Sequence, residues 1–139
     1  MITFDPEHWL EVAEACCEPI GGVDEEALLR TALNRTYYAA LLSVKQRIER
    51  AQGPGAVPRS RTHAAILDAL REGDSHFVRI HDGLHRLRRR REAADYELRS
   101  EPLVATRVHA HVERGRWLIR GRIKALPDVE FRRLVLPRR

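Results

Sequence analysis

Cysteine, lysine and long apolar runs are all scarce in this 139-residue chain, and each scarcity excludes something. No stretch approaches 18 consecutive apolar residues, so no transmembrane helix is expected. Met1 to Leu10 carries acids and a proline where a secretory signal needs a basic start and an apolar centre, which points away from secretion and toward a cytoplasmic protein. The two cysteines, Cys16 and Cys17, are neighbours. The backbone sets adjacent side chains apart, so they do not bridge each other; they read as small apolar helix residues in a reducing compartment. Only His8 and Glu14 lie near enough in sequence to add ligands, so neither a metal nor a cofactor is expected there. No internal repeat, low-complexity linker or second domain is visible, and residues 1–139 are expected to form a single domain.

What is plentiful is arginine. Lysine is confined to Lys45 and Lys124, while Lys and Arg together number 25 against 20 acids. The net charge of +5 is uneven: Met1 to Gln52 holds nine acids and five bases, net −4, which leaves +9 on the remainder. A basic half on a balanced domain suits a polyanion-binding surface; an arginine-rich composition that spends Arg where other chains spend Lys gives the same count. With 43% hydrophobic and 32% charged residues, the chain can bury one real core without disulfide or metal.

The periodicity is helical throughout. Asp5-Pro6 places a cap and a first-position proline before an apolar face of Trp9, Leu10, Val12, Ala13 and Cys16, ending before Pro19 and Gly21-Gly22. Asp24 caps a second, long helix, with Glu25 and Glu26 at its positive end and Leu29, Leu33, Tyr37, Ala40, Val44 and Ile48 recurring three and four apart. Gly53-Pro54-Gly55 stops it. A short third helix, capped by Ser60 or Thr62, turns Ala65, Ile66, Ala69 and Leu70 inward and breaks at Gly73-Asp74-Ser75. A fourth starts near Phe77, carries Ile80, Leu84 and Leu87, and ends shortly after Tyr96. A fifth spans Leu103 to Ala125, with Val104, Val108, Val112, Leu118, Ile119 and Ile123 apolar, and Pro127 ends it. The predicted fold is an all-α, four- to five-helix up-and-down bundle, its core helices spanning about 24–125. The weakly alternating extension 126–139 reads as a short strand, a docked extension or a dimer arm.

Two arginines stand where apolar stripes ask for apolar residues. Arg35 sits amid Leu28, Ala32, Ala39 and Leu42, and Arg91 follows Ile80, Leu84 and Leu87. Taking an ion toward a bundle interior costs several kcal/mol unless it is paired or lines a wet cleft. The two are therefore either members of structural ion pairs, with Glu92 and Asp95 nearby as partners for Arg91, or site residues. The run Arg86-Leu87-Arg88-Arg89-Arg90-Arg91 turns Leu87 inward and fans its arginines over the rest of the helix, as a solvated face or as a phosphate track. No aromatic residues interleave the run, so base stacking is not indicated within it.

The segments Arg35-Thr36-Tyr37-Tyr38-Ala39-Ala40 and Leu87 to Arg91 followed by Ala94-Asp95-Tyr96, with Thr62-His63 opening the helix between them, resemble the HEPN (higher eukaryotes and prokaryotes nucleotide-binding) family. The resemblance covers roughly Asp24 to Tyr96. It implies a helical bundle that pairs two protomers around a shared cleft. It further implies metal-independent RNA cleavage, in several members as the toxin partnered by a small nucleotidyltransferase antitoxin; other members have lost catalysis and bind nucleic acid or nucleotides. Carried onto this chain, it implies that Arg91 and Arg35 hold the scissile phosphate of RNA and that Tyr96 and His63 assist proton transfer or positioning. Asp95 then orients Arg91. By stripe position Tyr37 packs in the core and Tyr38, near Arg35's face, lines the cleft, and by charge Arg86, Arg88, Arg89 and Arg90 are the phosphate track beside it. Active members carry a histidine shortly after the later arginine; here Tyr96 stands there, with four residues between it and Arg91. A phenol with a pKa near ~10 is a poor proton carrier at neutral pH, although it can still donate to a phosphate oxygen.

Overall fold

Asp5 opens the ordered chain by accepting a hydrogen bond from the Glu7 N–H at 3.0 Å, which starts a single 3-10 turn, Pro6–His8. That turn runs straight into α1 (Trp9–Ala15). Leu10, Ala13, Cys16 and Cys17 face inward at spacings of three and four, whereas Val12 is 40% exposed. Two residues past Leu10 is more than half a turn away, so Val12 does not join the apolar face expected for it. The computed structural model describes residues 4–96, Tyr96 in its backbone only, and residues 102–137.

The centre of the fold is α2 (Glu25–Gln52), 28 residues long, which packs against α1, α4, α5 and α6. Its start is the predicted one: Asp24 Oδ1 accepts the Ala27 N–H at 2.9 Å. It ends at Gly53, whose φ of 105° only glycine adopts without strain. The six residues of its expected stripe are all buried, and so are Leu28, Ala32, Ala39 and Leu41 on other sides, as suits a helix surrounded by neighbours. Its buried hydroxyls are satisfied locally: Thr36 donates to the Ala32 carbonyl at 2.8 Å and Ser43 to that of Ala39 at 2.7 Å.

The third helix, α3 (Thr62–Arg71), begins without a side-chain cap; Thr62 is its first residue and donates back to the Pro58 and Arg59 carbonyls. Next comes α4 (Ser75–Tyr96), which buries Phe77, Ile80, Leu84, Leu87 and Ala94. The fifth expected helix divides into α5 (Ala105–Leu118) and a π-helical turn, Ile119–Ile123, in which the Lys124 N–H reaches the Ile119 carbonyl at 2.8 Å. The wider turn keeps both Ile119 and Ile123 buried. Close approach of α5 to α2 rests on Gly115, where an added Cβ would lie 2.4 Å from Thr36 Cγ2.

The extension after Pro127 is docked. It forms a short α6 (Asp128–Arg132) whose Phe131 is fully buried, edge-on to Phe77 at 5.4 Å. Arg47 lies over the Phe131 ring and donates to the Leu126 carbonyl, and Gln52 Nε2 donates to the Phe131 and Leu134 carbonyls at 2.8 Å each. The result is an all-α bundle, 73% helix, with no strand among the described residues. The five expected helices are joined by the short α6. One cluster of buried residues runs from Leu10 to Leu134. No described helix is long and apolar enough to cross a membrane.

Candidate functional site

The packing of α2 against α4 brings Arg35 and Arg91 to the same aromatic ring. The Arg35 guanidinium lies 5.5 Å from the Tyr38 ring centre and the Arg91 guanidinium 5.6 Å from it. Each also touches a second ring: Arg35 stacks on Trp9 at 5.0 Å and Arg91 on Tyr37 at 5.3 Å. Cation–π contact and the long aliphatic stems let both charges sit at the edge of the core.

A chain of polar contacts joins the two arginines. Arg35 Nε and Nη2 donate to Asn34 Oδ1 at 3.0 and 2.5 Å, Asn34 Nδ2 donates to Asp95 Oδ2 at 3.1 Å, and Arg91 Nη1 reaches the same oxygen at 3.4 Å. Asp95 therefore pairs locally with Arg91 and also ties α4 to α2. Only 11% of the Arg91 side chain is exposed, and its Nε is buried without a hydrogen-bond partner. An unmet buried donor of this kind costs ~1–3 kcal/mol. Glu92 lies 3.9 Å from Arg91 Nη2 and 3.0 Å from Arg88 Nε, so two carboxylates, Asp95 and Glu92, face the guanidinium groups of Arg35, Arg88 and Arg91, which leaves the cluster net positive.

His63, in the first turn of α3, completes the cluster. Its Nδ1 lies 2.8 Å from the Tyr37 hydroxyl, its ring stacks on Tyr37, and it meets Tyr38 edge-on, both at 5.6 Å. Burial pushes the Tyr37 phenol up to about 12, so Tyr37 carries its proton at neutral pH. Burial, followed by the charges of Arg88 and Arg91, pushes the His63 imidazolium down, so His63 is neutral there. Tyr37 packs in the core as expected, but its hydroxyl was overlooked: a buried tyrosine needs a partner for that group, and His63 supplies it. Asn34 and Trp9 were also missed. A carboxamide in mid-helix is a weak cue for Asn34; for Trp9, which arrives from α1, the pattern on α2 and α4 holds none.

Tyr96 closes α4, but its side chain lies outside the described residues, and so does any pairing of it with Arg91. The arginine run is divided between two faces of α4. Arg88 shares Arg91's side and is held by Glu92 at 3.0 Å. Arg86, Arg89 and Arg90 line a groove between α4 and α5 instead. The only grouping of metal-ligating residue types among the described residues, Asp74, His76 and Glu130, includes none of these side chains.

No known protein family, curated protein or solved structure matches the chain.

Proposed function

We propose that this chain is a metal-independent endoribonuclease of the HEPN type, with the scissile phosphate held between Arg35 and Arg91. The observation that carries this reading is the convergence of two guanidinium groups on Tyr38, beside a neutral His63. In the proposed reaction the ribose 2′-hydroxyl attacks the adjacent phosphorus as its proton passes to a neutral base, for which His63 is the candidate. The 5′-oxygen leaves with the bonding pair and takes up a proton, and a 2′,3′-cyclic phosphate remains. Arg35 and Arg91 offset the charge that builds on the phosphoryl oxygens, while Asp95 and Asn34 fix their forks. In the HEPN reading two copies pair so that this partly open cluster becomes one side of a shared cleft, and a small nucleotidyltransferase serves as antitoxin.

A second reading, an RNA-binding module without catalysis or an accessory subunit, is favoured by the Tyr37–His63 hydrogen bond, which occupies one imidazole nitrogen, and by Tyr96 in place of a histidine. Incubating purified protein with total RNA, with and without chelator, separates the two. Cleavage that chelator leaves intact and that falls about 10²–10³-fold in Arg91→Ala supports the nuclease, since one electrostatic contact to a transition state is typically worth that much. Retained RNA binding without cleavage supports the module. Cleavage by Arg91→Ala at the wild-type rate refutes the assignment of this site.

A further inference from the structure

The other side of α4 holds a second positively charged feature. An open groove of about 1280 Å³ runs between α4 and α5, lined by Arg79, Arg86, Arg89 and Arg90 from α4, Arg114 from α5 and Arg122 from the π turn. None of these six makes an ion pair among the described residues. Three acids stand on the groove wall, and each already has a partner that does not line it: Glu92 has Arg88, Glu113 has Arg116, and Asp82 has His81 at 3.1 Å. Six guanidinium groups without an ion-pair partner therefore share one concave surface with three carboxylates that other side chains already engage, which leaves the groove positive and suited to an anion.

Two further observations point to the kind of anion. Trp117 stands on the groove wall, 58% exposed, with the Arg122 guanidinium 4.6 Å from its ring centre. A large aromatic side chain held in water beside arginines is the arrangement that stacks a base while its phosphate is bound. His111 lies between the groove and a smaller cavity of about 640 Å³, flanked by Arg90 and Arg114, which line both. It is only 7% exposed, and its Nε2 has no partner. From Arg79 to Arg90 the α4 wall extends about 16 Å at the helical rise, room for more than one phosphate.

We propose that the α4–α5 groove binds single-stranded polynucleotide, with phosphates on Arg86, Arg89, Arg90 and Arg114 and a base stacked on Trp117. Arginine forks match phosphate oxygens bidentately, which favours this ligand over the carboxylates of an acidic protein. The aromatic surface that the arginine run lacks in sequence is supplied by α5. The proposal goes beyond the cluster at Arg91 and does not depend on catalysis there.

The chain has two tryptophans, so Trp9→Phe leaves Trp117 as the sole tryptophan reporter. Titration of that protein with a short oligouridylate, and with its deoxy counterpart, is expected to quench Trp117 saturably, with affinity falling steeply as salt rises. Quenching by either sugar supports the proposal, and a difference between them shows whether the ribose is read. Because these arginines are exposed, Arg89→Ala with Arg114→Ala should leave the fold intact, weaken binding about 10-fold or more and flatten the salt slope. Trp117→Ala, followed by filter binding, should cost about 10- to 100-fold. Arg91→Ala should leave the Trp117 titration unchanged even where it abolishes cleavage, so failure of one site is distinguishable from failure of the other. Absence of quenching, equal affinity for polyglutamate at the same salt, or indifference to the groove substitutions would overturn the proposal.

Discussion

Acidification should destabilise this protein through His111, at a pH where its carboxylates are still largely ionised. Burial, then the charges of Arg90 on α4 and Arg114 on α5, pushes the His111 imidazolium from 6.5 down to about 4. Below about pH 6.5 the unfolded chain takes up a proton that the native protein refuses. Stability is therefore complete above that value, falls by about 1.4 kcal/mol per pH unit as pH drops, and levels off near the native value. The total is about 3 kcal/mol, a large part of the stability of a domain this size. Urea unfolding of wild type and His111→Gln, at steps between about pH 7.5 and 4.5, measures it. His63, also lowered, and the carboxyls of Asp5, Glu7 and Asp128, held below their ordinary values, add acid sensitivity to both proteins. The quantity to read is accordingly the difference between the two curves. It should be flat at high pH and shift by about 1.4 kcal/mol per unit between roughly pH 6 and 5. Parallel curves throughout that window would refute the reasoning, because His111 would then be protonated in the native state or exposed.

Two packing predictions test the elements that carry the sites. Gly115→Ala should destabilise by about 1–2 kcal/mol, because overpacking against Thr36 Cγ2 outweighs the ~1 kcal/mol that alanine gains in a helix. Adding Thr36→Ser removes the offending methyl and keeps the hydroxyl, so the double variant should recover in chemical denaturation; simple additivity would contradict the close approach of α2 and α5. Phe131→Ala should cost about 3–5 kcal/mol in the urea midpoint, since the ring is fully buried against Phe77. A loss under about 1 kcal/mol would mean that α6 is not part of the cooperative unit.

The one-dimensional pattern settled what depends on spacing along a single helix. Caps and breakers placed α2 between Asp24 and Gly53, and the three-and-four recurrence of Leu29, Leu33, Tyr37, Ala40, Val44 and Ile48 named buried residues correctly. Arg35 and Arg91 were conspicuous because a charge in an apolar stripe violates that periodicity, and Asp95 was one helical turn from Arg91. Tertiary structure decided everything that needs two elements at once. Asn34 meets Asp95 across 61 residues, and the Tyr37 hydroxyl meets His63 across 26, contacts that no local period encodes. Whether the arginine run formed one surface or two depended on which neighbours α4 acquired. With α2 and α3 on one side and α5 on another, Arg88 and Arg91 turn to the aromatic cluster, while Arg86, Arg89 and Arg90 meet Arg114 and Trp117. The extension followed the same logic: its weak alternation fitted a strand, a docked piece or an arm, and only the space beside Phe77, with Arg47 and Gln52 waiting to bind its carbonyls, made it a helix on the core. Local sequence sets which face of an element is apolar, because that follows from bond geometry and propensity; the partner of each face is chosen by burial summed over the whole chain.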